Sequence, residues 1–419
     1  MAGACCGSSP LGAEENAVPL SQDVLAHSLV SLGDTARLQH ALAKARRGDS
    51  PLTVAVIGGS ITGGAKASTR EKNYGSLVAK WWRETFPKAA GARSAPGKSS
   101  VLGQGAAYRV PLRGTALKVE FVNAGIGATG SNYGALRAQR DLLSHHPDFV
   151  VVEYGVNDGN TQACAETYEG LVRQTLNQPN QPAVMLLFMM HNNGGNAQEW
   201  QSKVGAHYGL PMVSFRDALW PEIQAGRMKW EDVEADMVHP NDRGHAYAAQ
   251  FVTEVLQRLL KDLPADDALP AVKPVPAPLF TDLFEHVSLL EANALKPVTN
   301  EGWSYDAKDR CWKSSQPGSV VEFEVEGRVI FFMEWHIRGP MGKAKVQVDD
   351  RPPVTIDAWF DQTWGGFRRT SELARDLKPG AHRVRVELLE EKNPASDGHE
   401  FRILGLGAAG VSTSAAGGK

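Results

Sequence analysis

No stretch of this 419-residue chain stays apolar long enough to build a membrane-spanning helix, so a helical membrane span is not expected. A basic excess is missing too. Lys and Arg number 44 against 47 Asp and Glu, for a net charge of −3, and the basic residues form no long run. Binding to nucleic acid therefore has no electrostatic footprint here. Only four cysteines are present, Cys5, Cys6, Cys164 and Cys311, and they do not make the paired C-x₂-C spacing of a zinc site. The first residues, MAGACCGSSPLGAEENA, are small like a cleavage region but lack the charged start and apolar centre of a signal peptide. A plain N-terminal tail over residues 1–33 is the expectation. If the protein is secreted or periplasmic, its leader is absent from this chain.

What the sequence does contain is enough apolar material, 42%, and enough length for two or three folded parts. Over residues 34–262 short apolar runs alternate with longer amphipathic ones. TVAVIGG (53–59), LKVEFVNAG (117–125), FVVVEYG (149–155), AVMLLFMM (183–190) and MVSF (212–215) read as strands apolar on both faces, as buried parallel strands are. Helical stretches separate them, and a last helix carries Ala248, Val252, Val255, Leu256 and Leu259 on one face, with Asn241 or Asp242 to cap it. Such alternation predicts right-handed crossovers and a doubly wound α/β sheet of five parallel strands. The Gly- and Ser-rich 91–108 stretch is expected as a surface loop.

Composition changes after residue 262. Five prolines within residues 263–278 predict a stiff linker, taken as 263–279. Beyond it SVVEFEVEG, RVIFFMEWHI, KAKVQVDD, HRVRVELLE and FRILGLG alternate with period two between turn signals, which predicts an all-β sandwich over 280–408 and a tail over 409–419.

Three distant segments put polar residues where strands end, the edge at which open α/β sheets bind ligands. Ser60 follows TVAVIGG in Gly58-Gly59-Ser60-Ile61-Thr62, Asn157 follows FVVVEYG, and Asp236-Met237-Val238-His239-Pro240 precedes the last helix. A serine hydroxyl needs a base to become a nucleophile, and Asp236 and His239, three residues apart, are suited to supply an oriented imidazole. An acyl-transfer site also needs donors for the oxyanion. The Asn157 amide, the Gly125-Ile126-Gly127-Ala128 loop and the N–H of Ser60 are the candidates. Taken singly, each segment has a plainer reading: a serine after Gly-Gly caps a helix, and Asn157-Asp158-Gly159 makes a turn. Their joint occurrence in this order favours the catalytic one.

Four of these segments, GGSIT, NAGIGATGS, EYGVND and DMVHP, resemble the conserved blocks of the SGNH (GDSL-like) hydrolases, across about residues 52–262. The resemblance implies a flavodoxin-like three-layer α/β/α fold and ester hydrolysis through an acyl-enzyme, with no metal or other cofactor. It places Ser60 as nucleophile, His239 as base, Asp236 as its orienting acid and Asn157 as an oxyanion donor beside Ser60. The family's Asp before the serine is replaced here by Gly59. Its block II glycine donor aligns with Ala128, and Gly127 stands one residue earlier. Other chemistries fit less well. No Lys-Ser/Thr follows Gly63 or Gly64 as a P-loop requires, Thr62 stands where a G-x-S-x-G elbow needs glycine, and the histidines make no HExxH set.

For the substrate, Asn73, Tyr74, His191 and Asn192 follow the same strand ends and are candidates for lining it. Five of the ten tryptophans, Trp303, Trp312, Trp335, Trp359 and Trp364, fall in the β-rich half, and the 359–367 stretch is the one interrupted by polar residues and glycines. SGNH enzymes joined to a sandwich resemble carbohydrate O-acetyl esterases. The expectation is a short-chain, above all acetyl, esterase acting on carbohydrate or another small ester. The alternatives are a lipase, lysophospholipase or thioesterase on longer chains, acyl transfer to a carbohydrate hydroxyl, and a carbohydrate-binding protein with an inactive hydrolase half.

Overall fold

Buried strands at the centre of the chain organise everything around the candidate residues. The structure, a computed structural model, describes residues 19–86, 108–111, 118–265 and 268–411. Cys5, Cys6, most of the 91–108 stretch and residues 412–419 lie outside them. Contacts divide the chain into two units. One comprises Met1–Ile126, His145–Gly159 and Gln178–Pro274; the other comprises Gly127–Ser144, Asn160–Asn177 and Val275–Lys419.

The first unit holds a seven-stranded sheet: β1 (Leu29–Ser31), β2 (Leu52–Gly58), β3 (Tyr108–Pro111), β4 (Val119–Gly125), β5 (Phe149–Glu153), β6 (Ala183–Phe188) and β7 (Met212–Ser214). Their order is β1-β7-β6-β5-β2-β4-β3, with β4, β2, β5, β6 and β7 parallel and the two edge strands antiparallel. Counting only the parallel strands along the chain gives 2-1-3-4-5, the flavodoxin-like order expected. The chain reverses direction across the sheet at β2 between β4 and β5, the switch point where ligands bind. Gly58 pairs with both Gly125 and Glu153, so the three strand ends converge there. β3 and β1 had no counterpart in the sequence reading. Of the segment expected as tail to residue 33, the described residues from 19 onward fold. Gln22–Ser28 (α1) buries Val24 and Leu25, and Leu29 pairs with Val213 at the open edge of β7. An edge strand needs only backbone partners, so it leaves a faint pattern.

Helices cover both faces of this sheet. Ala36–Arg47 (α2), Tyr74–Thr85 (α4, after the short turn α3, Ser60–Gly63), Phe215–Gln224 (α8) and Asp242–Lys261 (α9) share one apolar core with Val54 and Val56. Gln198–His207 (α7) lies on the other face, where Gly205 leaves room for Met212 and Leu186. All five apolar positions expected on α9 are buried, and Asn241 caps it by accepting from Arg243 and Gly244 N–H. The proline-rich stretch runs along α2 instead of standing free. Arg46 donates to the carbonyls of Leu263 and Pro264, His40 bonds the Pro270 carbonyl at 3.0 Å, and Lys273 pairs with Asp34 at 2.8 Å.

The second unit is built on two antiparallel sheets. Their strands run in chain order β8 (Val287–Glu291), β9 (Pro297–Glu301), β10 (Ser304–Asp306), β11 (Cys311–Ser314), β12 (Val320–Glu326), β13 (Val329–His336), β14 (Lys343–Val348), β15 (Val354–Asp357), β16 (Phe367–Ala374), β17 (Ala381–Leu388) and β18 (Phe401–Ala409). One sheet reads β10-β11-β18-β13-β16 with β8 beside β18; the other reads β15-β14-β17-β12-β9. Ile330, Phe332, Val346, Val384 and Phe401 meet in the core between them. The same unit includes Ser131–Asp141 (α5) and Gln162–Leu176 (α6), which the sequence reading assigned to the preceding α/β part. The reason is visible in β13. Val329, Ile330, Phe331, Phe332 and Met333 are all buried, a run apolar on both faces and not an alternating one. Its outer face packs with Leu136 of α5 and with Phe284, and Gly407 and Gly170 lack the Cβ that would strike these two side chains. Ion pairs close the contact, Arg140 to Glu291 at 2.7 Å, Arg368 to Glu291 at 3.1 Å, and Arg375 to Glu166.

Candidate active site

Ser60 opens a single helical turn directly off β2, so its hydroxyl stands at the strand end and its N–H has no partner within that turn. The turn is fixed from below: Asn123 Nδ2 donates to the Thr62 carbonyl at 2.7 Å, Ile126 N–H to the Gly58 carbonyl at 3.0 Å, and Gly125 is so close to Gly63 that a Cβ would sit 2.2 Å from its nitrogen. From 179 residues further along, His239 Nε2 lies 2.8 Å from Ser60 Oγ. Its Nδ1 lies 2.9 and 3.0 Å from the two Asp236 oxygens. Asp236 Oδ1 also accepts the backbone N–H of Val238 and of His239, each at 2.9 Å. The whole acid–base turn is thereby closed on itself. Burial works against the charge of Asp236, but the His239 ring and these two N–H groups outweigh it and hold the carboxyl below its usual range. With Nδ1–H donated to Asp236, Nε2 is left as an acceptor for the Ser60 proton.

Asn157 follows β5 at the same edge, and its side chain borders Gly59 so closely that a Cβ at 59 would lie 1.8 Å from Asn157 Oδ1. With the amide in this position, residue 59 has no room for a side chain. Ala128 adopts φ +56°, the left-handed region that disfavours a side chain, which accounts for the family's glycine at this position.

The four candidate lining residues divide. Asn73 and Tyr74 are fully buried and do not line a substrate surface. Asn73 caps α4 through Gly75 N–H and donates to the Ile61 carbonyl, while the Tyr74 hydroxyl bonds Thr62 Oγ1 at 2.9 Å. Both follow a loop, but that loop turns inward. His191 and Asn192 are nearer the surface and act between loops: His191 Nε2 bonds the Val156 carbonyl at 3.1 Å, and Asn192 N–H donates to Met237 O at 3.0 Å. The tryptophans divide as well. Trp303 is in the sandwich core, whereas Trp364 is 60% exposed and packs against Phe360 and Phe367.

Several neighbours carried no sequence signal. Trp230 Nε1 donates to the Asp236 carbonyl at 2.7 Å, and Lys66 Nζ stands 3.8 Å from Asp236 Oδ2. His245, one turn into α9, is buried between Tyr74 N–H on Nδ1 (3.4 Å) and the Ala65 carbonyl on Nε2 (3.2 Å), and burial lowers its pKa to about 4. Glu234 is buried beside the acid–base turn with neither oxygen hydrogen-bonded; burial, then the charge of Asp236, push its carboxyl up to about 9. Trp230, Glu234 and His245 are close to Asp236 or His239 along the chain and Lys66 is not, but which of them is buried is decided by tertiary packing.

Comparison with known proteins gives the family. The model of the GDSL-like Lipase/Acylhydrolase family matches residues 56–247. A two-domain esterase active on acetylated mannans, known from a crystal structure, is 30% identical with a TM-score of 0.79, over 93% of this chain and 99% of that one. A crystal structure of such an esterase with mannopentaose gives 30% identity and a TM-score of 0.78, over 93% and 98%. Thioesterase 1/protease 1/lysophospholipase L1 of Escherichia coli (strain K12) is 27% identical over 151 residues, 34% of this chain and 70% of that protein. The chain belongs to the GDSL-like lipase/acylhydrolase family. It is an esterase, an SGNH-type hydrolase followed by an all-β region.

Proposed function

We propose that this esterase works through a serine nucleophile and removes small acyl groups, acetyl above all, from a polysaccharide or oligosaccharide. The 2.8 Å approach of His239 Nε2 to Ser60 Oγ carries the reading. Ser60 Oγ attacks the ester carbonyl as its proton passes to His239 Nε2, and Asp236 steadies the imidazolium. The Asn157 amide and the Ser60 N–H stabilise the oxyanion, with a backbone N–H from Gly127 or Ala128 as a third donor. Collapse expels the sugar alcohol, which takes the proton from His239. Water, deprotonated by the same ring, then releases acetate and restores the Ser60 hydroxyl. The carbohydrate class is supported by the 30% identical relative named as active on acetylated mannans and by the exposed Trp364 with Phe360 and Phe367, an apolar face of the kind on which sugar rings stack.

The test is acetate release from acetylated mannan and xylan beside chromogenic esters of increasing chain length, with wild type and Ser60→Ala. Loss of turnover in Ser60→Ala, together with preference for the acetylated polysaccharides, is expected. Residual turnover in Ser60→Ala near the wild-type level overturns the nucleophile. A strong preference for long acyl chains overturns the substrate class.

A further inference from the structure

Beneath the serine turn lies a buried acid that the acyl-transfer steps do not use. Glu153 ends β5, is completely buried, and pairs in register with Gly58 of β2. Its Oε2 accepts from Thr62 Oγ1 at 3.1 Å, and Thr62 is the third residue of the turn that begins at Ser60. The other oxygen, Oε1, accepts from Gly155 N–H at 3.1 Å, two residues before Asn157. The Tyr74 hydroxyl completes the chain on Thr62 Oγ1 at 2.9 Å. Gly58 makes room for it, because a Cβ there would lie 2.1 Å from Thr62 Oγ1.

We propose that Glu153 is a positioning residue for acyl transfer: through Thr62 it holds the turn that presents Ser60, and through Gly155 the loop that presents Asn157. The inference rests on the reading of Ser60 as nucleophile and Asn157 as oxyanion donor. One carboxyl then sets the separation between the attacking atom and the group that receives the developing charge, the quantity on which transition-state stabilisation depends most steeply.

Donor directions give the arrangement a preferred protonation state. With Glu153 ionised, the Tyr74 O–H donates to Thr62, the Thr62 O–H donates to Glu153, and the Gly155 N–H donates to the other oxygen. A proton on Oε2 reverses the bond between Glu153 and Thr62, and one of the two buried hydroxyl hydrogens, that of Thr62 or that of Tyr74, then loses its acceptor in the chain. Burial opposes ionisation, with the charge of Asp158 adding to it. Thr62 and Gly155 favour ionisation, and the balance sets the carboxyl at about 7. Tyr74 from α4, Asp158 from the loop after β5 and the neutral His245 stacked on Tyr74 from α9 are the titratable groups around it. The ordered arrangement belongs to the alkaline side of that midpoint.

The experiment compares the full chain with Glu153→Gln, Thr62→Val and Thr62→Ser by kcat and KM for a chromogenic acetate ester between about pH 5 and 9, with thermal melts and Ser60→Ala alongside. Thr62→Val keeps the shape and removes the hydroxyl; its kcat is expected to fall about ten- to a hundredfold with KM within about twofold, and Thr62→Ser to recover most of the loss. Glu153→Gln is expected to lose about tenfold in kcat near pH 8 and to approach wild type near pH 6. Its acid limb should show one ionisation where the wild type shows two. Folded Glu153→Gln and Thr62→Val variants with wild-type kcat at every pH overturn the proposal, as does a loss confined to KM. If Glu153→Gln fails to fold, the Thr62 pair decides by the same criteria. Activity persisting in Ser60→Ala is a separate outcome: it removes the reading of the site on which Glu153 acts, whatever the Glu153 variants do.

Discussion

Replacing Gly59 by alanine adds one methyl group and moves the Asn157 amide, the side chain proposed above as an oxyanion donor. A Cβ at this position would sit 1.8 Å from Asn157 Oδ1 and 2.6 Å from Cγ, whereas ordinary contact begins near 3.4 Å. The amide must therefore retreat by more than 1 Å. The backbone at Gly59 has φ −88°, outside the left-handed region, so the new contact and not the alanine backbone sets the cost. Displacing an oxyanion donor by more than 1 Å should resemble removing it, about 10²–10³ in kcat, or ~3–4 kcal/mol. Overpacking should take a further ~1–3 kcal/mol from stability.

A double-mutant cycle isolates the cause. Asn157→Ala removes the atoms that the new methyl group strikes, so Gly59→Ala should cost almost nothing further in that background. The coupling energy should then approach the full ~3 kcal/mol. The assay is kcat and KM for a chromogenic acetate ester in the four proteins, with melting temperatures to confirm folding. Wild-type kcat, within about threefold, in Gly59→Ala refutes the reasoning. Equal losses in both backgrounds do so as well, because the clash would then lie elsewhere.

The buried titratable neighbours of the acid–base turn give two further predictions. Glu234, raised to about 9, is protonated in the fold, so its stabilising contribution is complete below the ordinary carboxyl value and is lost as pH rises toward 9. Glu234→Gln should thus gain on wild type between about pH 5 and 8, by on the order of 2–4 kcal/mol in urea unfolding; parallel pH profiles for the two proteins refute it. His245, lowered to about 4, works in the opposite sense: stability is present above the unfolded value near 6.5 and falls away as pH drops toward 4. Its ring should stay neutral, with the proton on Nε2, in nitrogen-15 spectra at about pH 5. A charged ring there contradicts the burial argument.

The parts legible in the sequence are those whose pattern and function coincide. Buried parallel strands such as TVAVIGG and FVVVEYG are unbroken apolar runs, and the polar residues that stop them, Ser60 and Asn157, are the ones that stand at the sheet edge. The Asp236 to His239 spacing carries its own hydrogen bonds, so it too is local. Edge strands are not legible in this way. Leu29–Ser31 and Tyr108–Pro111 pair on one side only, and their short sequences carry no strand signature. Asn73 and Tyr74 follow a strand-end loop, which in sequence points toward the substrate, yet the crossing of α4 over the sheet sets the Tyr74 hydroxyl against Thr62. The network of Glu153, Thr62 and Tyr74 joins residues up to 91 positions apart, and no periodicity records such a contact. The β13 run does carry a signal, since five consecutive apolar residues call for cover on two sides and do not alternate.

That double cover has a bearing on how this gene can be cut and recombined. A fragment ending near Pro274 would retain the codons for α5 and α6 but discard the strands that shelter Leu136 and the Phe284 ring that fills the space beside Gly170. A fragment beginning there would keep Phe284 against the outer side of β13 but lose Leu136 from it. Neither piece keeps the whole of that packing, so a sandwich exchanged between relatives leaves Leu136 of α5 and Gly170 of α6, both encoded upstream of the proline-rich stretch, facing a surface they were not fitted to.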